Sequence, residues 1–523
     1  MSQSQRGMGG RPLFILSEGS RRSTGRDAQS SNITAGKAVA QAVRTTLGPR
    51  GMDKMLVSSA GDVVITNDGA TILDEMDIEH PAAQMIVEVA ETQEDEVGDG
   101  TTTAAILAGQ LLSEAEDLLQ QDVHATTIVE GYYEAARIAK ETIDEHVIDV
   151  EVDEELLRKV AKSSMTGKGT GGLEADALAQ TVVDAVLSVD EDDDESITIE
   201  TRVGASTAAT ELVEGVILDE KPVHDTMPRV AEDATVAVVD VSLNVRKSEI
   251  DVEYAVETVD ELTAAMDAEA EELRGYAQTF ADAGVDVIVA TEQIDKRVRE
   301  HLSKAGIMAF DDVSDKEARR ITRATGAHRI GSLSDFDSND LGHIDRVQVK
   351  FFGEDELAFF EGGEAVESVT ILVRGGTENV VRELERVVQD SIDVVRTTRR
   401  SGEVVGGAAS SEIAISSAIR EAAAGITGRR QLAVEAFADA VDAIPRTIAE
   451  NSGEDPIDAL VELRAAHDET GRAGLIIDGA AIIYDDPVEY GILDPAAVKQ
   501  EAIDSATEAA TMIVRIDDVI AAS

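Results

Sequence analysis

Gly98-Asp99-Gly100-Thr101-Thr102-Thr103 runs directly into a stretch where Ile106, Leu107, Leu111, Leu112, Leu118 and Leu119 recur at helical spacing. The spacing predicts a helix over 101–120. Gly100 lets the backbone approach a ligand closely. The first helical turn offers unpaired N–H groups, three threonine hydroxyls and the positive end of a helix dipole, which together suit a phosphate. Asp99 could hold Mg2+, an ion that takes one or two carboxylates and fills its shell with phosphate oxygens. A second Asp-Gly-x-Thr, in Asn67-Asp68-Gly69-Ala70-Thr71, lies 31 residues upstream. A third glycine turn, Thr46-Leu47-Gly48-Pro49-Arg50-Gly51, precedes it. Asp-Gly also makes ordinary turns and threonine also caps helices. On the residues alone, a nucleotide pocket and a set of plain turns both stand.

Composition narrows the field. The 523 residues carry 46 basic and 104 acidic side chains, a net charge of −58, with 43% hydrophobic residues and no cysteine. The length predicts about three domains. The charge argues against a nucleic-acid-coating protein, because phosphates would be repelled. Without cysteine there are no disulfides, thiolate zinc sites or iron–sulfur clusters. No apolar run reaches the ~18 residues a spanning helix needs, so no membrane role is expected and the cytoplasm is the expected location. Lysine is scarce, 13 against 33 arginines. Acid in excess on a chain with regular apolar periodicity reads as adaptation to high salt, where the Debye length falls to ~3 Å. The competing reading is an acidic patch for a basic partner. Residues 1–54 depart from the pattern, with nine basic against three acidic residues and a net +6. That segment reads either as a contact to acidic neighbours or as a surface arm.

The middle of the chain alternates. Apolar runs at 235–241, 285–290 and 307–310 are separated by helical patterns near 259–281, 295–304 and 315–325. This predicts an α/β unit with a mainly parallel sheet. The acidic helix at 257–280 reads as a projecting element. A strand at 369–373 precedes a helix reaching about 398, and from 405 the chain is again helical, ending with a helix near 495–513 and an apolar tail. Residues 190–195 read as a solvated acidic turn. The eight histidines are scattered and form no metal spacing, and GxSxG and Walker motifs are absent. Gly167-Lys168-Gly169-Thr170-Gly171-Gly172 fits GxGxxG, but the residues before it read as a helix, not the strand a dinucleotide fingerprint requires. A loop bringing Lys168 to an anion fits better.

Several longer motifs, in order along the chain, carry a resemblance. They are TTLGPRGMDKML (45–56), DVVITNDGATIL (62–73), HPAA (80–83), GDGTTT (98–103), ILVRGGT (371–377), QLAVEAFADA (431–440), GILDP (491–495) and SATEAATMIVRIDDVIA (505–521). On these the sequence resembles the group II chaperonins, the family of archaeal thermosomes and eukaryotic cytosolic ring chaperonins. The acidic composition resembles its haloarchaeal members.

The resemblance implies a multidomain protein. Residues 1–145 and 400–523 would form a mainly α-helical equatorial ATPase domain, and 146–213 with 365–399 a small α/β intermediate hinge domain. Residues 214–364 would form an α/β apical client-binding domain, with a helical protrusion near 243–280 as a built-in lid. It implies a double ring of identical or paralogous subunits acting on unfolded proteins, with ATP, Mg2+ and, as a further ion, K+. Leu47, Gly48 and Pro49 would contact the nucleotide, and Gly100, Thr101, Thr102 and Thr103 the phosphates. Asp99 would bind Mg2+, and Asp68 would order the attacking water. Asp390, in 385–392, would be the acid that the hinge domain brings over the site. Lys168 would sense the nucleotide, Gly407 would lie against it, and Asp494 would face ribose and adenine.

By helical geometry alone Asp390 points away from the apolar stripe Val381, Leu384, Val388, Ile392 and Val395, which reads as a solvated acid. The chain also departs from the family's Pro-Gly-Gly-Gly run: Gly406-Gly407-Ala408-Ala409 puts methyl groups on two family glycines. Two alternatives stand beside the chaperone reading, the first of them prompted by that departure. One is a divergent paralogue that holds clients and hydrolyses weakly, and the other a plain metabolic ATPase.

Overall fold

The helix predicted at 101–120 is the axis of the first structural unit. In the computed structural model it spans Thr101–Gln120, and four other helices pack on it: Arg26–Val43, Pro81–Val97, Arg429–Val441 and Ala496–Val514. Leu107, Leu111 and Leu112 are buried, as are Tyr132 and Phe437, whose rings meet edge to face at 5.7 Å. Small residues set the helix spacing. A methyl group on Gly109 would lie 2.2 Å from the Ala40 side chain, so only glycine lets these two helices touch.

The structure describes the whole chain except residues 1–20, 171–173, 192, 194–195, 245–258, 334–335, 354, 364–367, 480 and 522–523. It divides into two units, Met1–Val150 with Glu403–Ser523, and Glu151–Gly402. In the first, three short hairpin-like pairs accompany the helices. Lys54–Val57 pairs with Val63–Thr66, Gly474–Asp478 with Ala481–Asp485, and Val404–Gly406 with Leu493–Pro495, all antiparallel. The apolar tail is a strand: Asp518–Ala521 pairs antiparallel with Arg21–Thr24, Arg21 opposite Ala521.

The second unit holds two sheets. The larger runs Gly215–Leu218, Asp355–Glu361, Gly342–Phe352, Val230–Val239, Val287–Ala290, Met308–Phe310, with Arg329–Ile330 also on Val230–Val239. The last three strands of the row and Arg329–Ile330 pair in parallel, as the alternation predicts. The other half is antiparallel, so "mainly parallel" is corrected. The cause is the Gly342–Phe352 and Asp355–Glu361 pair, where Ile344, Val347 and Val349 face the core among polar residues. Val259–Asp282 is one helix whose buried anchors are Leu273, Ala277 and Phe280 in its second half. The expected lid at 243–280 lies in part outside the described residues.

The smaller sheet orders Ile197–Val203, Val369–Gly375 and Glu211–Val213. The Glu378–Ser401 helix packs on this sheet and on the helices Glu154–Ser164 and Ala175–Leu187. Thr377 caps its start and Gly402 ends it at φ +72°. The acidic turn near 190–195 is not simply solvated: Asp193 accepts two hydrogen bonds from the Arg323 guanidinium, at 2.9 and 3.1 Å.

Candidate functional site

The two Asp-Gly-x-Thr turns meet. Asp68 caps the Gly69–Asp74 helix, one carboxylate oxygen accepting from the Thr71 N–H at 2.7 Å. Its other oxygen accepts from the Thr101 hydroxyl at 2.9 Å. A hydrogen bond to a charged acceptor contributes ~1.5–3 kcal/mol, so this contact ties the two turns firmly. Gly69 lies on the backbone of Thr102, where a Cβ would sit 2.8 Å from the Thr102 nitrogen. Thr101 is therefore committed: its hydroxyl belongs to Asp68, and it offers a ligand its backbone N–H. Thr102 and Thr103 remain half-buried in the same first turn. Gly100, at φ +85°, holds the left-handed conformation that turns the chain into the helix, with Gln93 and Val498 filling the space a side chain would need.

Gln93 is a site residue that the sequence reading missed. It is fully buried, and its side-chain amide donates to the Asp99 carbonyl at 2.8 Å and to the Val498 carbonyl at 3.0 Å. It thus links the Asp99-Gly100 turn to the start of the Ala496–Val514 helix. The available signal was a glutamine on the buried face of its helix, in register with Ile86, Val89, Ala90 and Val97. The Leu47-Gly48-Pro49 turn is held from the other side. The Asn451 amide donates to the carbonyls of Arg44 and Leu47, at 3.0 and 2.8 Å, and Gly48, at φ +89°, lies against Ile448.

Gly407 and Asp494 are neighbours: a Cβ on Gly407 would sit 3.1 Å from an Asp494 carboxylate oxygen. Asp494 forms an ion pair with Lys499 at 2.8 Å, and Lys499 also reaches Glu412 at 2.9 Å. Burial opposes the Lys499 charge, but the two carboxylates outweigh it and hold its pKa well above the ordinary lysine value. Lys499 is the sole lysine after Lys350, yet only the fold reveals its partners.

Ala408 and Ala409 both adopt the left-handed backbone conformation that favours glycine. Their φ values are +54° and +65°, a region that costs an L-residue about 1–2 kcal/mol. Neighbours enforce it: the Ala408 carbonyl accepts from Leu475 N–H at 2.8 Å, and the Ser411 hydroxyl donates to the Gly406 carbonyl at 2.9 Å. Relief of this strain exceeds the entropy that glycine adds to the unfolded chain. The double variant Ala408→Gly/Ala409→Gly is therefore expected to be more stable by about 1 kcal/mol. A thermal unfolding midpoint that stays put or falls would contradict this.

In the second unit Lys168 and Asp390 form an ion pair at 2.7 Å. Asp390 is buried, 8% exposed, which corrects the expected solvated acid. The reason is that Val387, Ser391, Val394 and Thr398 are buried as well, so the covered face is wider than the apolar stripe and reaches Asp390 at its edge. The structure thus gathers Asp68, Asp99, Gly100 and the threonines in the first unit, with Gly407 beside Asp494, and pairs Lys168 with Asp390 in the second. The helix Glu154–Ser164 precedes Gly167, which removes the dinucleotide fingerprint.

Among the described residues no three His, Asp or Glu side chains cluster as a metal cage. The start of the Thr101–Gln120 helix and the Asp68 turn are thus joined by the Thr101–Asp68 hydrogen bond. Residues 39–523 match the TCP-1/cpn60 chaperonin family, and the chain belongs to it. Within that family it is a group II chaperonin subunit. It is 64% identical over 516 residues to thermosome subunit 3 of Haloferax volcanii, covering 98% of each chain. It is 52% identical to thermosome subunit 1 of the same organism, over 99% of this chain and 93% of the relative. Identity to thermosome subunit alpha of Halobacterium salinarum is 51%, over 98% and 92%.

Proposed function

We propose that the chain is an ATP-driven protein-folding subunit of a double ring, built with identical or paralogous copies, that encloses unfolded proteins as its lid closes. The observation that carries this is the Asp68–Thr101 hydrogen bond, which makes one cradle of two turns and points a helix start at it. Thr102, Thr103 and the first-turn N–H groups hold the phosphates, and Gly100 lets them approach. Asp99 holds Mg2+, which neutralises phosphate charge when bound. Leu47, Gly48 and Pro49 contact the nucleotide from the loop pinned by Asn451. Gly407 and Asp494 serve the nucleoside side, with Lys499 fixing the Asp494 carboxylate.

Asp68 orients the water, and Asp390, with Lys168, arrives on ring closure, which makes hydrolysis conditional on encapsulation. We assign 1–145 with 400–523 as the equatorial domain, 146–213 with 365–399 as the hinge, and 214–364 as the client-binding domain. ATP favours the closed ring through its higher affinity for that state. The acid surplus supports work in a salt-rich cytoplasm with K+ as a further ion. Among the described residues no helix is long and apolar enough to cross a membrane.

Phosphate release measured in KCl with and without Mg2+, on particles sized by light scattering, tests the reading. Ring-sized particles with Mg2+-dependent release are expected, and Asp99→Ala should weaken Mg-ATP binding at least tenfold. A monomer that hydrolyses ATP would overturn the reading, as would Asp99→Ala with unchanged affinity.

A further inference from the structure

The acid surplus of the chain is reversed at one cavity of the second unit. It has a volume of about 560 Å3 and lies between the Glu378–Ser401 helix, the Asp315–Thr325 helix and the Ile197–Val203 strand. Arg382, Glu385, Arg386 and Gln389 recur every three or four residues and so form one stripe of their helix, facing Lys316 and Thr198 across the cavity. Three cations surround a single carboxyl group. They are weakly satisfied. Lys316 makes no ion pair with any described residue. Arg386 reaches Glu383 only at 3.4 Å, and Arg382 pairs with Glu378, whose side chain is 74% exposed.

Behind this wall lies a further cation. Arg320 is 8% exposed, donates to the Thr198 hydroxyl at 2.6 Å, and leaves its buried Nε without a hydrogen-bond partner. Burial lowers its pKa, with Glu317 and Glu200 opposing. Burial also raises the pKa of the Glu385 carboxyl, against Arg386 and Arg382.

The strand contributes as well. Ile197, Thr198 and Ile199 are consecutive, and their side chains alternate between faces, so a cavity lined by all three looks onto the strand's edge. Among the described residues Ile197–Val203 pairs only with Val369–Gly375, which leaves its other edge unpaired by any of them. Its backbone groups join the arginine forks as possible ligand contacts.

We propose that this cavity binds a small dianion, a phosphate ester or a di- or tricarboxylate, held by Lys316, Arg382 and Arg386. Its size suits a small molecule, since ligand pockets commonly enclose about 300–1,000 Å3. A bound dianion would clamp the Asp315–Thr325 helix to the Glu378–Ser401 helix and so restrain their relative movement.

Calorimetric titration of the full chain in KCl tests this, with inorganic pyrophosphate and citrate as separate probes and the nucleotide site filled by a non-hydrolysable ATP analogue. One additional site per chain is expected for at least one probe, and the responding probe reports whether phosphate or carboxylate is preferred. Lys316→Glu and Arg382→Glu should each weaken it at least tenfold, while Asp99→Ala leaves it unchanged. Both substituted side chains are exposed, and unaltered unfolding midpoints would verify folding. No binding of either probe, or binding indifferent to both charge reversals, overturns the proposal. So does binding of an acidic peptide without either small anion, which would assign the unpaired strand edge to an extended chain.

Discussion

Asp390→Ala is expected to bind ATP and yet stall its hydrolysis, with turnover down by about two to four orders of magnitude, the usual contribution of a positioned acid or base. The structure adds a complication. Asp390 is buried and pairs with the half-buried Lys168 ammonium, so removing it breaks an ion pair from one side and costs stability. A loss of turnover could then reflect a damaged hinge. The double variant Lys168→Ala/Asp390→Ala separates the two effects. It should recover most of the stability lost by Asp390→Ala without recovering hydrolysis. Near-normal turnover in Asp390→Ala would reject the role assigned to this residue. Recovery of turnover in the double variant would reduce Asp390 to a structural counter-charge.

The second large effect belongs to Asp68, where capping and chemistry share one carboxylate. One oxygen caps the Gly69–Asp74 helix, and the other holds Thr101. Asparagine is as good a cap as aspartate, so Asp68→Asn should fold normally, its carbonyl oxygen capping the helix and its amide N–H donating to the Thr101 hydroxyl oxygen in place of the present bond. Without the charge it cannot order and polarise the attacking water, and turnover should fall about a hundredfold or more. Asp68→Ala removes both the cap and the Thr101 contact and should lose about 2–4 kcal/mol of stability in addition. Both variants should retain much of their ATP affinity. If Asp68→Asn hydrolyses ATP at the parental rate, the residue is a cap and a tie, and the water must be ordered elsewhere.

Long periodic segments were legible from the sequence. The helices Thr101–Gln120 and Asp315–Thr325 and the strand Val369–Gly375 lie where the apolar spacing puts them, because one buried face repeated over several turns leaves little choice. Short strands were not. Lys54–Val57 and Val63–Thr66 have four residues each, two periods of alternation, and their partners define them more than their composition does. The phosphate-type turns were visible as repeated Asp-Gly-x-Thr, but the hydrogen bond that joins them was not, since nothing local says that residues 68 and 101 touch. Gln93 shows the same limit: one of its acceptors lies 405 residues away. Asp390 misled because helical geometry predicts which residues share a face and is silent on how many faces are covered.

Arg21–Thr24 and Asp518–Ala521 lie side by side, and the second unit is inserted between Val150 and Glu403. Residues 21–24 and 518–521 are therefore neighbours, and the first unit is interrupted by the excursion through the second. A circularly permuted gene that begins at codon 403, reads through 521, joins to 21 and stops at 150 would encode that unit as one uninterrupted ribbon, with the junction on an existing two-stranded seam.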